Sequence, residues 1–177
     1  MTPPTPRDGP VASANPDDPR ISDLDRSRLR DAIDVANTAV ANGNHPFGAV
    51  LADAAGEVVL SAQNTVNTEN DCTGHAETNL VRAAWKQFGP AALGEFTLYT
   101  SCEPCAMCSG AIYWSGIGTM VFAMTEADLA TITGDHDENP TMSLSSELVL
   151  NSGTRAIAVR GPALVDEAAA SHAGFWN

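Results

Sequence analysis

Residues 96–124, FTLYTSCEPCAMCSGAIYWSGIGTMVFAM, decide the fold. Phe96 to Thr100 reads as a short strand, and Pro104 stands where the first turn of a helix tolerates a residue without an N–H. That helix runs to about Ser115 and stops at Gly116, and Thr119 to Met124 is a second strand. The same alternation extends both ways. Upstream, Ser22 caps a helix with Asp23 and Asp25 near its positive end, and Leu29, Ile33, Ala36 and Val40 recur at helical spacing until Gly43. Gly48 to Ala52 and Glu57 to Gln63 are strands joined by the turn residues between them. A loop containing Asn64, Asn67, Asn70 and Asp71 leads to a helix capped by Thr73 and ended by Gly89-Pro90. Downstream, Glu126 to about Ile132 and Ser145 to Leu150 are short helices. Arg155 to Arg160 is a last strand and Leu164 to about Ala170 a last helix. Strands alternating with helices predict an α/β fold whose sheet is covered on both faces.

Two motifs in this framework carry chemistry: His75-Ala76-Glu77 and Pro104-Cys105-Ala106-Met107-Cys108. His75 falls in the first turn of one helix. Cys105 and Cys108, three apart and so on one face, fall in the first turns of another. Two positive helix ends then converge, which favours thiolate over thiol. One imidazole and two thiolates are the ligand set of an open tetrahedral zinc site with a fourth position left for water. Two thiolates cancel the charge of the ion, so such a water is acidified less than in a three-histidine site, where its pKa falls to about 7. A neighbouring carboxylate must take its proton, and Glu77 is the candidate catalytic acid–base group. A competing arrangement exists on paper. Cys72-x-x-His75 and Cys102-x-x-Cys105-x-x-Cys108 contain more than four potential ligands, enough for a closed structural zinc site. Cys72 and Cys102 otherwise read as small core or near-site residues, and His45, His136 and His172 as isolated surface or loop residues.

Composition narrows the classes. A chain of 177 residues suits one domain and can bury a core without disulfide staples. Residues 1–20, rich in Pro, Asp, Ala and Ser and without periodicity, are expected to be a disordered tail, with residues 21–177 as one domain. No apolar run of about 18 residues is present, so no membrane span is expected. No apolar signal core opens the chain, so a cytoplasmic location is expected. Close cysteines in such a chain point to metal or redox work rather than disulfides. The net charge is −13, and the 9 Lys and Arg residues form no cluster, which disfavours a nucleic-acid partner because phosphate binding needs cations.

Taken as a set, His45-Pro46-Phe47-Gly48-Ala49-Val50, Gln63-Asn64, His75-Ala76-Glu77 and Thr100-Ser101-Cys102-Glu103-Pro104-Cys105-Ala106-Met107-Cys108 resemble the cytidine deaminase-like superfamily of zinc deaminases. The continuation Ser109-Gly110-Ala111-Ile112-Tyr113-Trp114 is most similar to the bacterial guanine deaminases within it. The resemblance implies a three-layer α/β/α sandwich with a central mixed five-stranded sheet, one Zn2+ per subunit on His75, Cys105 and Cys108, and a homodimer, often with an exchanged C-terminal segment. It also implies substrate contacts. Asn64 would hydrogen-bond the heterocycle, with an ordinary turn role as the alternative. Phe47 would lie against the ring, or be plain core. Backbone groups of Ala76 and of Glu103 to Cys105 would meet the reacting edge. A later carboxylate would hold a purine's N1 and exocyclic amino edge; Asp135, Asp137 and Glu138 occupy that region, with Asp137 the candidate. Trp176, in the terminal Phe175-Trp176-Asn177, would close a pocket or pack in a dimer.

The expected function is therefore zinc-dependent hydrolytic deamination of a small amino-heterocycle, with a purine base such as guanine first. A cytosine- or cytidine-type deaminase is the alternative, and a non-catalytic zinc-stabilised binding module the rival from another class. A tRNA adenosine deaminase would share the metal motifs but needs a basic surface that this chain lacks.

Overall fold

The computed structural model describes residues 18–134, 136–140 and 142–176. Ser22 starts the first helix, α1 (Asp23–Ala41), through a reciprocal capping box: its hydroxyl accepts the Asp25 N–H, and the Asp25 carboxylate accepts the Ser22 N–H. The apolar stripe Leu29, Ala32, Ile33 and Ala36 is buried against β1 (Gly48–Ala52). A Cβ on Gly48 would collide with the backbone of Ala32 and Ala36, so a glycine lets α1 settle directly on the strand.

β1 pairs antiparallel with β2 (Val58–Gln63) and with β3 (Thr97–Cys102). The 96–124 segment then delivers what its pattern predicts. β3 runs through α5 (Ala106–Ser115) to β4 (Thr119–Met124), which lies parallel to it, as a crossover helix permits. α5 ends on Gly116 in the left-handed region, φ 80°, a conformation that costs glycine little. β5 (Ala158–Arg160) pairs parallel with β4 and completes a mixed sheet of order β2-β1-β3-β4-β5. It is half the expected length, because only Ala158 to Arg160 reach the ladder of β4.

The remaining helices are α2 (Val66–Glu69), α3 (Ala76–Phe88), α4 (Pro90–Leu93), α6 (Glu126–Thr133), α7 (Ser146–Leu150) and α8 (Val165–Ala170). α2 lies in the segment expected to be loop. Pro90 does not merely end α3; it opens α4, where its missing N–H is no loss. Thr73 was expected to cap α3, but its hydroxyl bonds the Asp71 carboxylate and His75 takes the cap position.

β1, β3 and β4 are buried along nearly their whole length, since both faces are covered. One core layer packs Leu29, Ile33, Val50, Tyr99, Val121 and Leu129 under α1, α6 and α8. The other packs Leu51, Leu80, Leu98, Ile112, Met120 and Leu150 under α3, α5 and α7. This is the α/β/α sandwich. Buried Asp25 ties the layers by accepting from the Tyr99 hydroxyl at 2.9 Å and Arg160 at 2.7 Å. Burial and this carboxylate push the Tyr99 phenol up to about 12.

Of the expected tail, residues 1–17 lie outside the described residues. Asp18 is buried: it bonds Arg20 and accepts the Gly161 N–H at 3.1 Å. Its carboxyl is held below the usual range, chiefly by the Arg20 guanidinium. Among the described residues no helix is long and apolar enough to cross a membrane.

The end of the chain packs on its own fold. His172 is 1 % exposed, and its Nδ1 accepts the Trp176 indole N–H at 3.1 Å. Burial lowers its pKa to about 4. The unfolded chain, with a histidine near 6.5, therefore binds more protons between pH 6.5 and 4, so stability present above 6.5 is lost as pH falls to 4. Denaturant unfolding at pH 7 and pH 4 should show wild type losing about 3 kcal/mol more than His172→Gln. Equal losses would assign the acid transition to other groups.

Candidate active site

α3 begins at Ala76 and α5 at Ala106, so His75 and Cys105 are helix N-caps rather than residues of the first turns. Pro104 accordingly precedes the cap and stands outside the helix. N-cap side chains ordinarily bond the first-turn N–H groups. Neither His75 nor Cys105 does so. They turn toward each other, with Cys105 Sγ 3.7 Å from His75 Nδ1. Cys108, buried in the first turn of α5, completes a cluster whose ligand atoms lie within 4.8 Å of one another.

Zinc fits this cluster. Bond lengths of about 2.0–2.3 Å place tetrahedral N and S ligand atoms roughly 3.5–3.8 Å apart. The donor set is also of the right chemistry. The Cys105 thiol is held well below its usual range, first by its bond with Cys108 and then by the His75 ring. Cys108 is pushed up by the same bond and by burial. His75 is raised chiefly by its contact with Cys105. Cys72 and Cys102 do not join the cluster. Among the described residues it offers three ligands, and the closed four-ligand arrangement is not assembled.

Glu77, the second residue of α3, is 5 % exposed. Thr100 of β3 donates its hydroxyl to Glu77 Oε1 at 2.8 Å, which fixes the carboxylate between helix and sheet. Burial raises its pKa and the Cys105 charge adds to this, while His75 and the Thr100 bond oppose. A buried carboxyl with a raised pKa beside a metal triad can both accept and return a proton.

His75, Glu77 and Cys105 line one side of a cavity of about 350 Å³. Phe47 and Asn64 line it from the ends of β1 and β2. Phe47 also packs on both core layers, so its core and cavity readings are both met. Buried Asn64 accepts the Val66 N–H on Oδ1, the turn bond expected of it, and its amide NH2 is the group left to donate to a ligand. Ala76 is buried at the head of α3, behind the lining residues. Glu103 lines the wall, but its carboxylate faces the protein, where Ser146 and the Glu126 N–H donate to it.

Of the three later acids, Asp135 lies outside the described residues. Asp137 is not part of the lining, whereas Glu138 is. Glu138 Oε2 lies 3.0 Å from His45 Nε2. His45 and His172 were expected at the surface or in loops; both lie in loops, but both are buried, with Trp176 packed on each. Trp176 is not a lining residue. It stacks on His45 at 5.5 Å and lies 6.3 Å from Phe47, both of its own chain, and so backs the wall.

Sequence reasoning missed Glu126. It opens α6 directly after β4, lines the cavity, and is pushed up to about 7, first by burial and then by the Cys105, Glu103 and Glu77 charges. The available signal was an acid at the carboxyl end of a parallel strand, where ligands bind in open α/β sheets. Among the described residues the lining thus carries Glu77, Glu103, Glu126 and Glu138 and neither Lys nor Arg.

Comparison with known proteins agrees with this geometry. A sequence profile of the cytidine and deoxycytidylate deaminase zinc-binding region matches residues 22–124. A probable cytosine deaminase of Schizosaccharomyces pombe is 42 % identical over 157 residues, covering 89 % of this chain and 95 % of that protein. A guanine deaminase of Bacillus subtilis is 43 % identical over 103 residues, covering 58 % and 65 %. Among solved structures, a guanine deaminase from Nitrosomonas europaea superposes with a TM-score of 0.70 at 26 % identity, covering 82 % of this chain and 81 % of that one.

Proposed function

The chain belongs to the cytidine and deoxycytidylate deaminase zinc-binding family, and we propose from that premise that it deaminates a free amino-heterocyclic base, guanine first. Hydrolysis of a C–N bond by a zinc-dependent enzyme is the family's chemistry. The free base is supported by the cavity wall, which among the described residues has four glutamates and neither Lys nor Arg to hold a phosphate. Its volume of about 350 Å³ stands at the small end of ligand pockets, which run from about 300 to 1,000 Å³. The same wall and the net charge of −13 argue against a polynucleotide.

In this reading His75, Cys105 and Cys108 would hold zinc, which would supply a Lewis acid that lowers the pKa of water. Glu77 takes the proton from the attacking water and delivers it to the adjacent ring nitrogen. It then carries the second proton of that water to the exocyclic nitrogen, which leaves as ammonia while the carbon keeps the oxygen. Asn64 donates its amide N–H to a ring carbonyl, Phe47 lies along the ring, and the Ala76 N–H at the uncapped head of α3 meets the reacting edge. Glu138, rather than Asp137, accepts the ring N–H and amino donors, which is the feature that favours guanine. A cytosine-type activity is the second reading, because the similarity to the S. pombe probable cytosine deaminase runs through 95 % of that protein.

Ammonia release from the purified zinc protein decides between them. Guanine should exceed cytosine by roughly ten-fold or more in kcat/KM, the discrimination one well-placed polar contact can supply. Guanosine, GMP and an anticodon stem-loop should release none. Cytosine as the better substrate establishes the second reading, and activity confined to nucleosides or RNA sinks the free-base proposal.

We also infer a homodimer through the α3–α5 face. Trp85, Trp114 and Met107 are 44 %, 76 % and 39 % exposed there, a large apolar area for a monomer to leave in water. Sedimentation at micromolar concentration should give the mass of two chains, and Trp114→Glu that of one. A monomeric wild type ends this inference.

A further inference from the structure

We propose that Glu103 is the positioning residue of the metal loop: its carboxylate joins the Cys105 segment to α6 and α7, and zinc affinity depends on that tie. The Glu103 N–H donates to the Met124 carbonyl at 2.7 Å, which lays its backbone against the end of β4. Its side chain then serves three donors on two other elements. Oε1 accepts the Ser146 N–H at 2.9 Å and the Ser146 hydroxyl at 2.8 Å, and Oε2 accepts the Glu126 N–H at 3.1 Å. Glu126 and Ser146 are the first residues of α6 and α7. One carboxylate therefore meets two positive helix ends, where a negative charge is favoured and bonds to N–H are strong.

The consequence falls on Cys105. Pro104 restricts Glu103 to extended backbone. The far side of Pro104 is held as well, because the buried Ser109 hydroxyl donates to the Pro104 carbonyl at 3.1 Å. Two residues before the ligand, and again at the Pro104–Cys105 peptide that leads into it, the loop is anchored, and this sets Cys105 Sγ 3.7 Å from His75 Nδ1. The same tie seats Glu126 on the cavity wall. Groups that orient a ligand are typically worth about 10- to 100-fold in metal affinity.

The proposal rests on the zinc reading of the triad and not on the substrate, so zinc binding is the readout. Apo-protein is titrated with zinc alone against a chromophoric chelator. Glu103→Gln keeps the shape but turns an NH2 donor toward an N–H donor. It should weaken zinc by about 10- to 100-fold while the circular dichroism of the zinc-loaded protein stays that of wild type. Ser146→Ala removes one of the three bonds and should weaken zinc by less, which keeps the test open if the glutamine variant does not fold. Asp25→Asn, which loosens the remote tie of α1 to β3 and β5, should lower the melting temperature and leave zinc affinity unchanged. Wild-type zinc affinity in Glu103→Gln, no effect of Ser146→Ala, or an equal loss in Asp25→Asn overturns the proposal. A wild type that binds no zinc overturns the metal site itself, a separate failure visible before any variant is made.

Discussion

Glu77→Gln should retain about one zinc per chain and the wild-type fold while ammonia release falls by about 10³- to 10⁴-fold. General acid–base groups contribute about 10²- to 10⁴-fold each, and the proposed mechanism passes both transferred protons through this one side chain, which places the loss at the upper end. Glutamine is the informative substitution because it is isosteric and can still accept the Thr100 hydroxyl bond, so the position stays filled. It also removes a carboxylate that is buried without a cationic partner bonded to it, so stability should hold or rise slightly. Metal content, melting temperature and single-turnover rate on one sample separate the outcomes. A variant with zinc and near-normal turnover removes Glu77 from the chemistry, and the next carboxylate to test would be Glu126 on the same wall.

Cys105→Ser and Cys108→Ser should each bring zinc content, measured by elemental analysis after dialysis, from about one per chain to a small fraction of that, with activity at background. A serine hydroxyl does not ionise near neutral pH, so each substitution removes a thiolate from a set of three protein ligands, and the remaining two cannot define a tetrahedral site. The melting temperature should fall by several degrees, because an ion that binds only the folded chain stabilises it by mass action. Cys72→Ser and Cys102→Ser are the controls and should keep their zinc, since neither sulfur belongs to the cluster. Zinc retained in either of the first two variants, or lost in either control, would move the site to a different set of cysteines.

The elements that were legible in the chain are those whose signal is local and repeated. α1 has its capping box and an apolar stripe of about three turns, β1 and β4 are continuous apolar runs between turn residues, and α5 ends on a glycine. The four-residue α2 and α4 have too few residues to show a period, and β5 is cut short by what β4 offers it to pair with. The α3 cap was misplaced by two residues, Thr73 for His75, for an instructive reason. Capping preferences favour Thr73, but the ligand side chains occupy the cap positions and leave the helix ends to the site.

By itself the sequence pointed to the zinc ligands and to Glu77 as the candidate acid–base group, because His75 with Glu77 and Cys105 with Cys108 each lie within one helical turn, where spacing dictates geometry; that the two motifs meet is the fold's doing. Its pattern of strands and helices likewise determined the sandwich. Only the tertiary structure decided what surrounds them. Glu138 finds His45 across 93 residues, Glu103 finds Ser146 across 43, and Trp176 returns to His45 from the far end of the chain. Such pairings leave no periodic trace, because they depend on where folded elements happen to end rather than on the order of residues within them. The character of the cavity, four carboxylates and neither Lys nor Arg among the described residues, is therefore a property of packing, and the substrate class proposed for this protein depends on it.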